Sequence, residues 1–528
     1  MAPKHVAIVG CGFAGTSAFY QIVDQYPVEE LTIFERSGVF GPGYPYRPED
    51  CPDYLLNNTT DSLCLTPRNR RAFYTWLQSR PEYGPDLDPR GNLPRRVFGE
   101  FLSEAFEAAR LMAAVKGIKV TLVPKEATVM EEHPDGRVRI GWDGGETTVD
   151  AALLTTGRCT DVDPFPAPPE DANATYIANH ICTDAFDTVG LDATVHILGA
   201  SLSSYDVINR LFSAETGCRF TEAEDGNLTF EPGPNNRHVV LCSRSGRLKA
   251  LQSQKPMDIQ RTHFTPEGLT PASGTEQASL ADVAAAILQE AEDHGVTLSA
   301  SALTDPYAGC ADAEAVNSRA GQLLDQAIAA STEEGRPNFL VDLFSDAQID
   351  LWDGWASDLL RTDSKAQYRS KFETAFLSYS APCPLSTARR LQALHKAGRL
   401  TVRNGTKEVY WSEAEHAYHL GHAHGVDIVQ TLVNTTGSLV RDLTSNQQPP
   451  LVQSLVSAGL LGAPAGENAP GAAVDMETFR SKLARNIYVA NMMLWGPGFF
   501  TSSAFMMALV VERVLTGLFA LEPVTASS

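Results

Sequence analysis

A chain of 528 residues, 43% hydrophobic and 20% charged, has material for two or three domains with full cores. Its formal net charge of -22 argues against nonspecific binding to nucleic acid or to an anionic membrane surface. Nine cysteines, scattered singly and without a CxxC pair, read as reduced thiols of a cytoplasmic protein rather than as a disulfide framework.

Residues 5–10 are apolar and β-branched, as in a buried parallel strand. Residues 14–25 carry helical spacing, and LTIFER (31–36) reads as a second strand. No signal peptide is expected ahead of this βαβ opening. The junction is HVAIVGCGFAG, residues 5–15, in which Gly10, Gly12 and Gly15 form G-x-G-x-x-G. The first glycine permits the tight turn, the second lets backbone approach a pyrophosphate, and the third packs helix on strand. Phe13 and Ala14 complete the turn, whose helix N-terminus faces the phosphates. Glu35 closes the second strand, about 20 residues past the last glycine, where a carboxylate bonds ribose hydroxyls and repels a 2′-phosphate; Arg36 follows it. The first site is therefore expected to take FAD.

Residues 94–114 read as a helix, and 120–156 as a strand meander ending in AALLTTG, which puts Thr156 and Gly157 at the end of a sheet strand. A second meander at 400–437 ends in QTLVNTTG, so two β-rich excursions are each expected to return to a Rossmann-like sheet. Between them, TVHILGASLSSYDV (194–207) places Gly199, Ser201 and Ser204 at the three glycine positions of a second fingerprint. Ser204 packs small, and the Ser201 hydroxyl can donate to phosphate. The next strand, VVLCSRSGR, ends in Ser243, Arg244 and Arg247; arginine there suits a 2′-phosphate, so NADPH is expected in preference to NADH.

Residues 250–345 look like an insertion with amphipathic helices near 279–294 and 311–334, expected to shape the pocket or a subunit contact, which leaves a homo-oligomer open. A last strand at 485–491 leads into WGPGFFTSS and an apolar helix near Ala504–Leu521. That helix is too short to span a bilayer and is interrupted by Glu512 and Arg513. Its N-terminus is expected beneath a flavin pyrimidine, favouring the anionic reduced ring. Thr501, Ser502 and Ser503 would cap it or touch the ring, Asn491 would supply a polar group after the strand, and Phe499 and Phe500 would line a pocket or the core. Arg68, Arg70, Arg71, Arg95 and Arg96 would hold a pyrophosphate or an acidic substrate, or lie in solvated turns. His416, His419, His422 and His424 are expected at the surface of a hairpin rather than on a metal.

The stretch GPGYPYRPEDCPDYLLNNTTDSLCLTPRNRRAFYTWL (41–77) resembles a family of FAD–NAD(P)-binding flavoproteins. The likeness rests on Gly41, Gly43 and Tyr46, then Leu55-Leu56-Asn57, then Trp76-Leu77, on PRRVFGEFL (94–102), and on GASLSSYDV. That family includes bacterial aspartate N-hydroxylases. More distantly the layout is similar to ornithine and lysine N-hydroxylases and other class B flavin monooxygenases, in which NADPH reduces FAD and a flavin C4a-hydroperoxide delivers oxygen. The resemblance implies an α/β fold with two Rossmann-like dinucleotide-binding domains, the FAD domain discontinuous: 1–190, then 376–528, around an NAD(P)H domain at 191–375. It implies Tyr46 near the cofactor, a small-molecule amine and O2 as substrates, and N-hydroxylation in specialised metabolism. Asn57 and Asn58 are candidate flavin-side amides, with Ser503 joining them as a candidate catalytic residue. FLSYSAPCPLSTARR (376–390) departs from the family, replacing an Arg-His-Arg segment, so the sequence names no substrate. The alternatives are an NAD(P)H-dependent flavin reductase or oxidase without hydroxylation, and a non-catalytic flavin-binding protein.

Overall fold

The computed structural model describes residues 2–519 apart from 85–86, 158–162, 182, 225, 271–276, 299–304, 333–337, 438–441, 465–469 and 499–502. In chain order, its two five-stranded sheets use β1 (His5–Val9), β2 (Glu30–Phe34), β3 (Lys119–Val123), β4 (Ala151–Leu154), β5 (Thr175–Ile177), β6 (Thr194–Leu198), β7 (His238–Cys242), β8 (Leu400–Arg403), β9 (Thr431–Asn434) and β10 (Ile487–Val489). The first sheet runs β10-β4-β1-β2-β3 and the second β8-β7-β6-β9-β5, all neighbours parallel. Parallel strands covered on both faces must be apolar throughout, and Val6–Val9 and Ala151–Leu154 are all buried. Helices Phe13–Gln25, Arg95–Val115 and Ala504–Phe519 cover the first sheet, with Phe19 against Phe106 at 5.3 Å and Tyr26 stacked on Phe519 at 4.6 Å.

The two sheets repeat one plan. An antiparallel meander (Ala127–Glu132, Val138–Trp142, Gly145–Val149) leads into β4, which pairs with β1. Another (Glu408–Ser412, Ala417–His422, Gly425–Val429) leads into β9, which pairs with β6. Each TTG echo closes the same contact: Thr155 N–H donates to Val9 O and Thr435 N–H to Leu198 O, both at 2.9 Å.

The pairing corrects the expected division of the chain. β5 lies within 1–190 and β8 and β9 within 376–528, yet all three belong to the second sheet. The chain returns to the first sheet only at β10. Local alternation at 400–437 marks strands but not which sheet they join; that choice is made by parallel register against β6 and β7.

The insertion is longer than expected. After Leu280–Asp293 and Ala313–Thr332 it continues through Phe339–Asp346, Gln348–Ala356, Thr362–Gln367, a π-helical turn at Tyr368–Phe372 and Glu373–Ser380. Its far end docks on the first unit, the body built on the first sheet as the second unit is built on the second: Trp352 packs edge-on to Phe479 at 5.5 Å, Trp355 Nε1 donates to Gly496 O at 3.3 Å, and Arg513 Nη2 donates to Asp353 Oδ1 at 2.8 Å. No helix among the described residues is long and apolar enough to cross a membrane.

Candidate nucleotide-binding sites

Both fingerprints sit where a strand hands over to a helix at the carboxyl end of a sheet. At the first, Gly10 has φ +100°, and a Cβ there would lie 2.6 Å from Thr155 O. A Cβ on Gly15 would lie 2.1 Å from Gly10 O, so this glycine is required by packing alone. Gly12 differs: a Cβ would meet only Gly43 among the described residues, its Cα at 3.1 Å and its N at 3.8 Å. The loop carrying Gly41 and Gly43 lies over the turn, with Gly41 N–H donating to Cys11 O at 2.9 Å. The helix Phe13–Gln25 starts without a side-chain cap, leaving first-turn N–H groups, among them those of Phe13 and Ala14, for another acceptor. Glu35 stands at the end of β2, accepting from Cys11 N–H at 2.9 Å and from Ser37 N–H at 3.0 Å. A carboxylate has further lone pairs for ribose hydroxyls, so a dinucleotide fits this turn. Arg36 is exposed, 4.0 Å from Glu126.

The second turn repeats the first. Gly199 has φ +110°, and a Cβ would come 2.7 Å from Thr435 Oγ1. Ser204 is fully buried with its hydroxyl turned onto Ser201 O, which explains why serine serves at a packing position. Ser201 is exposed and its side chain caps nothing on the helix Leu202–Leu211. Register then aligns the two sites. Gly10 N–H donates to Phe34 O at 2.9 Å, and Gly199 N–H to Cys242 O at 2.8 Å. Ser243 therefore stands where Glu35 stands, and Arg244 where Arg36 stands. The carboxylate that would repel a 2′-phosphate is missing from the second site. Arg244 is exposed, and its guanidinium makes no bond among the described residues.

Around the first turn, the structure sorts the remaining expected residues. Tyr46 is half-buried, edge-on to Phe98 at 5.1 Å. The Asn57 and Asn58 amides make no hydrogen bond among the described residues, while their carbonyls accept from Gln252 and Asn92. Asn491 is buried; it donates to Thr156 Oγ1 and accepts from Met493 N–H, each at 2.9 Å, while Gly157 O accepts from Met492 N–H at 3.1 Å. Asn491 thus ties β10 to the turn after β4. Ser503 Oγ accepts from Met506 N–H at 3.1 Å, so it caps the helix Ala504–Phe519. Phe499, Phe500, Thr501 and Ser502 lie outside the described residues.

Several arginine assignments change. Arg68 pairs with Glu512 at 3.0 Å, and Arg70 and Arg71 lie over the rings of Phe505 and Tyr74. Arg95 opens the helix Arg95–Val115 and is partly buried, paired with Asp206 of the second unit at 2.6 Å. The histidines have acidic neighbours, His419 with Glu415 and His422 with Asp427, and no group of three or more metal-binding side chains occurs among the described residues. Asp206 and Gln252 were missed by the sequence reading, because nothing in one dimension brings either beside residues 54–57.

Comparison with known proteins agrees with the first unit. Residues 7–159 match the family model described as FAD-NAD(P)-binding. The uncharacterised protein YdhS of Escherichia coli (strain K12) is 24% identical over 279 residues, half of this chain and about half the length of that relative. Among solved structures, L-lysine 6-monooxygenase from Pseudomonas syringae is 13% identical with a TM-score of 0.48, over 98% of this chain and 99% of that one. The ornithine N-hydroxylase of Kutzneria sp. 744 is 14% identical with a TM-score of 0.45, over 98% and 99%. The bacillithiol disulfide reductase of Staphylococcus aureus is 10% identical with a TM-score of 0.47, again over 98% and 99%.

Proposed function

We propose that the first turn holds FAD and the second NADPH, with NADH less favoured, and that the protein is an NAD(P)H-oxidising flavin monooxygenase. Its target is the amine of a small amino acid or related metabolite. The observation that carries the reading is the register alignment of the two turns, in which Ser243 and the free Arg244 replace Glu35 and Arg36. One site is built for a ribose diol and the other accommodates a 2′-phosphate. Two different nucleotides in one chain imply hydride transfer between them.

In this reading Gly10, Gly12, Phe13, Ala14 and Gly15 present backbone to the FAD pyrophosphate, and Glu35, beside Arg36, holds the adenosine ribose. Tyr46, Thr156, Gly157 and Asn491 shape the flavin side. The Asn57 and Asn58 amides, which make no hydrogen bond among the described residues, would serve the ring edge. Gly199, Ser201 and Ser204 cradle the NADPH pyrophosphate. Bound FAD would supply hydride acceptance and O2 activation. The protein would orient the amine, exclude water and hold protons in place. The reaction balances as R-NH2 + O2 + NADPH + H+ giving R-NHOH + NADP+ + H2O.

The test is a turnover screen of amino acids under air, following NADPH loss and hydroxylamine formation together. Amine-dependent NADPH loss matched by N-hydroxylated product is expected. Stoichiometric hydrogen peroxide whatever amine is offered would sink the hydroxylation and leave an NAD(P)H oxidase.

A further inference from the structure

Three contacts from the second unit, and a fourth relayed through Arg95 of the first, converge on one short segment, residues 53–57. Arg390 Nη1 donates to Asp53 Oδ1 at 3.0 Å. Tyr54 OH donates to His180 O at 2.8 Å. Leu55 O accepts from Arg95 Nε at 3.1 Å, and Arg95 Nη2 donates onward to Asp206 Oδ2 at 2.6 Å. Asn57 O accepts from Gln252 Nε2. Gln252 is itself fixed in the second unit, its N–H on Cys383 O at 3.0 Å and its carbonyl accepting from Ser331 Oγ at 2.6 Å.

The Arg95–Asp206 pair is the unusual member. Its side chains are 14% and 7% exposed, and the pair crosses between units. Taking both charges out of water offsets much of their attraction, so such a pair is poor glue and better explained by the register it imposes. Asp206 lies on the second fingerprint helix, Leu202–Leu211, just past the turn at Gly199–Ser201. Arg95 opens the helix Arg95–Val115, and its own N–H donates to Tyr54 O at 2.8 Å. A displacement of the second fingerprint helix therefore has a direct route to the segment that ends in Asn57.

We propose that residues 53–57 link the two nucleotide sites, and that Asp206, Arg95 and Gln252 are positioning residues that set Asn57 against the flavin according to how the second fingerprint helix is seated. The proposal rests on the two-nucleotide reading above. Its contacts differ from ordinary interface contacts in reaching one five-residue stretch that carries an amide, that of Asn57, with no hydrogen bond among the described residues.

The experiment uses FAD-loaded full-length protein with Asp206→Asn and Gln252→Ala. FAD content, NADP+ affinity, the flavin absorption change on adding NADP+, and the limiting rate of flavin reduction by NADPH are measured, with dithionite reduction as the control. Both variants are expected to retain FAD, to bind NADP+ within about threefold of wild type, to be reduced by dithionite normally, and to lose at least tenfold in limiting reduction rate along with the spectral change. Gln252→Ala carries the test if Asp206→Asn does not fold. Limiting rates within twofold of wild type, or a loss confined to NADP+ affinity, would overturn the link. A wild-type flavin that neither NADPH nor NADH reduces marks the failure of the two-nucleotide reading, and the link falls with it.

Discussion

Alanine at Gly12 and at Gly15 separates a nucleotide cradle from a turn that merely packs. At Gly15 the new Cβ would sit 2.1 Å from Gly10 O, more than 1 Å inside ordinary contact, and the obstructing atom is backbone. Overpacking typically costs about 1–3 kcal/mol, and with neither partner able to rotate away the upper end, about 3 kcal/mol, applies. That shifts the melting temperature of the first unit by roughly 6–12 °C. At Gly12 the clash is only 3.1 Å, with Gly43 Cα, and the backbone at φ -85°, ψ -151° is extended and open to alanine. A contact shift of a few tenths of an ångström is offset by about 0.4–1 kcal/mol from a less flexible unfolded chain, so apoprotein stability changes little. In the proposed FAD-bound state, however, the methyl group would crowd the backbone approach to the pyrophosphate. Losing two charge-assisted bonds of about 1.5–3 kcal/mol each weakens FAD binding at least about 100-fold. The assay is thermal unfolding of the apoproteins, with calorimetric FAD titration beside it. Gly15→Ala should lose stability and FAD together, and Gly12→Ala FAD alone. Wild-type FAD affinity in Gly12→Ala would refute the cradle, and a wild-type melting temperature in Gly15→Ala would refute the packing argument.

Arg244→Ala should raise KM for NADPH about 5- to 30-fold in steady-state assays while leaving NADH unchanged, the exposed guanidinium contributing about 1–2 kcal/mol to 2′-phosphate binding; equal effects on both nucleotides would remove the assignment. Ser503→Ala should cost about 1 kcal/mol through loss of the Met506 cap, seen as a lower denaturant midpoint, with product formed per NADPH unchanged. Burial, outweighing Arg95, pushes the Asp206 carboxyl up to about 6, with Asp50 raising it further and His180 3.9 Å away. A raised folded-state value means that this group's stabilisation is complete below the unfolded range near pH 4 and is lost as pH rises through about 6. Denaturant midpoints measured from pH 4 to 7 should accordingly fall less steeply for Asp206→Asn than for wild type; parallel curves would show that Asp206 does not titrate there.

The parts legible in the sequence are those in which cause and consequence are neighbours in the chain. Gly10, Gly12 and Gly15 follow an apolar strand directly, and Glu35 ends the next one, so one βαβ unit carries the whole signal. Ser204 was readable for the same reason, since a small residue at a helix–strand contact needs no knowledge of the rest of the fold. Ser503 was half legible: a serine before an apolar helix announces a cap, and only the Met506 bond shows that its hydroxyl is already engaged.

Sequence by itself determined the two fingerprints, the helix and strand periods and the turns, because these are set by interactions within a few residues. Tertiary structure alone decided that β8 and β9 join the second sheet, that the insertion reaches back to Trp495 and Gly496, and that Arg95 meets Asp206 across 111 positions. Parallel strands pair without a hairpin to announce their partner, and a buried ion pair leaves no periodicity in the chain, so both become visible only when the units are packed together.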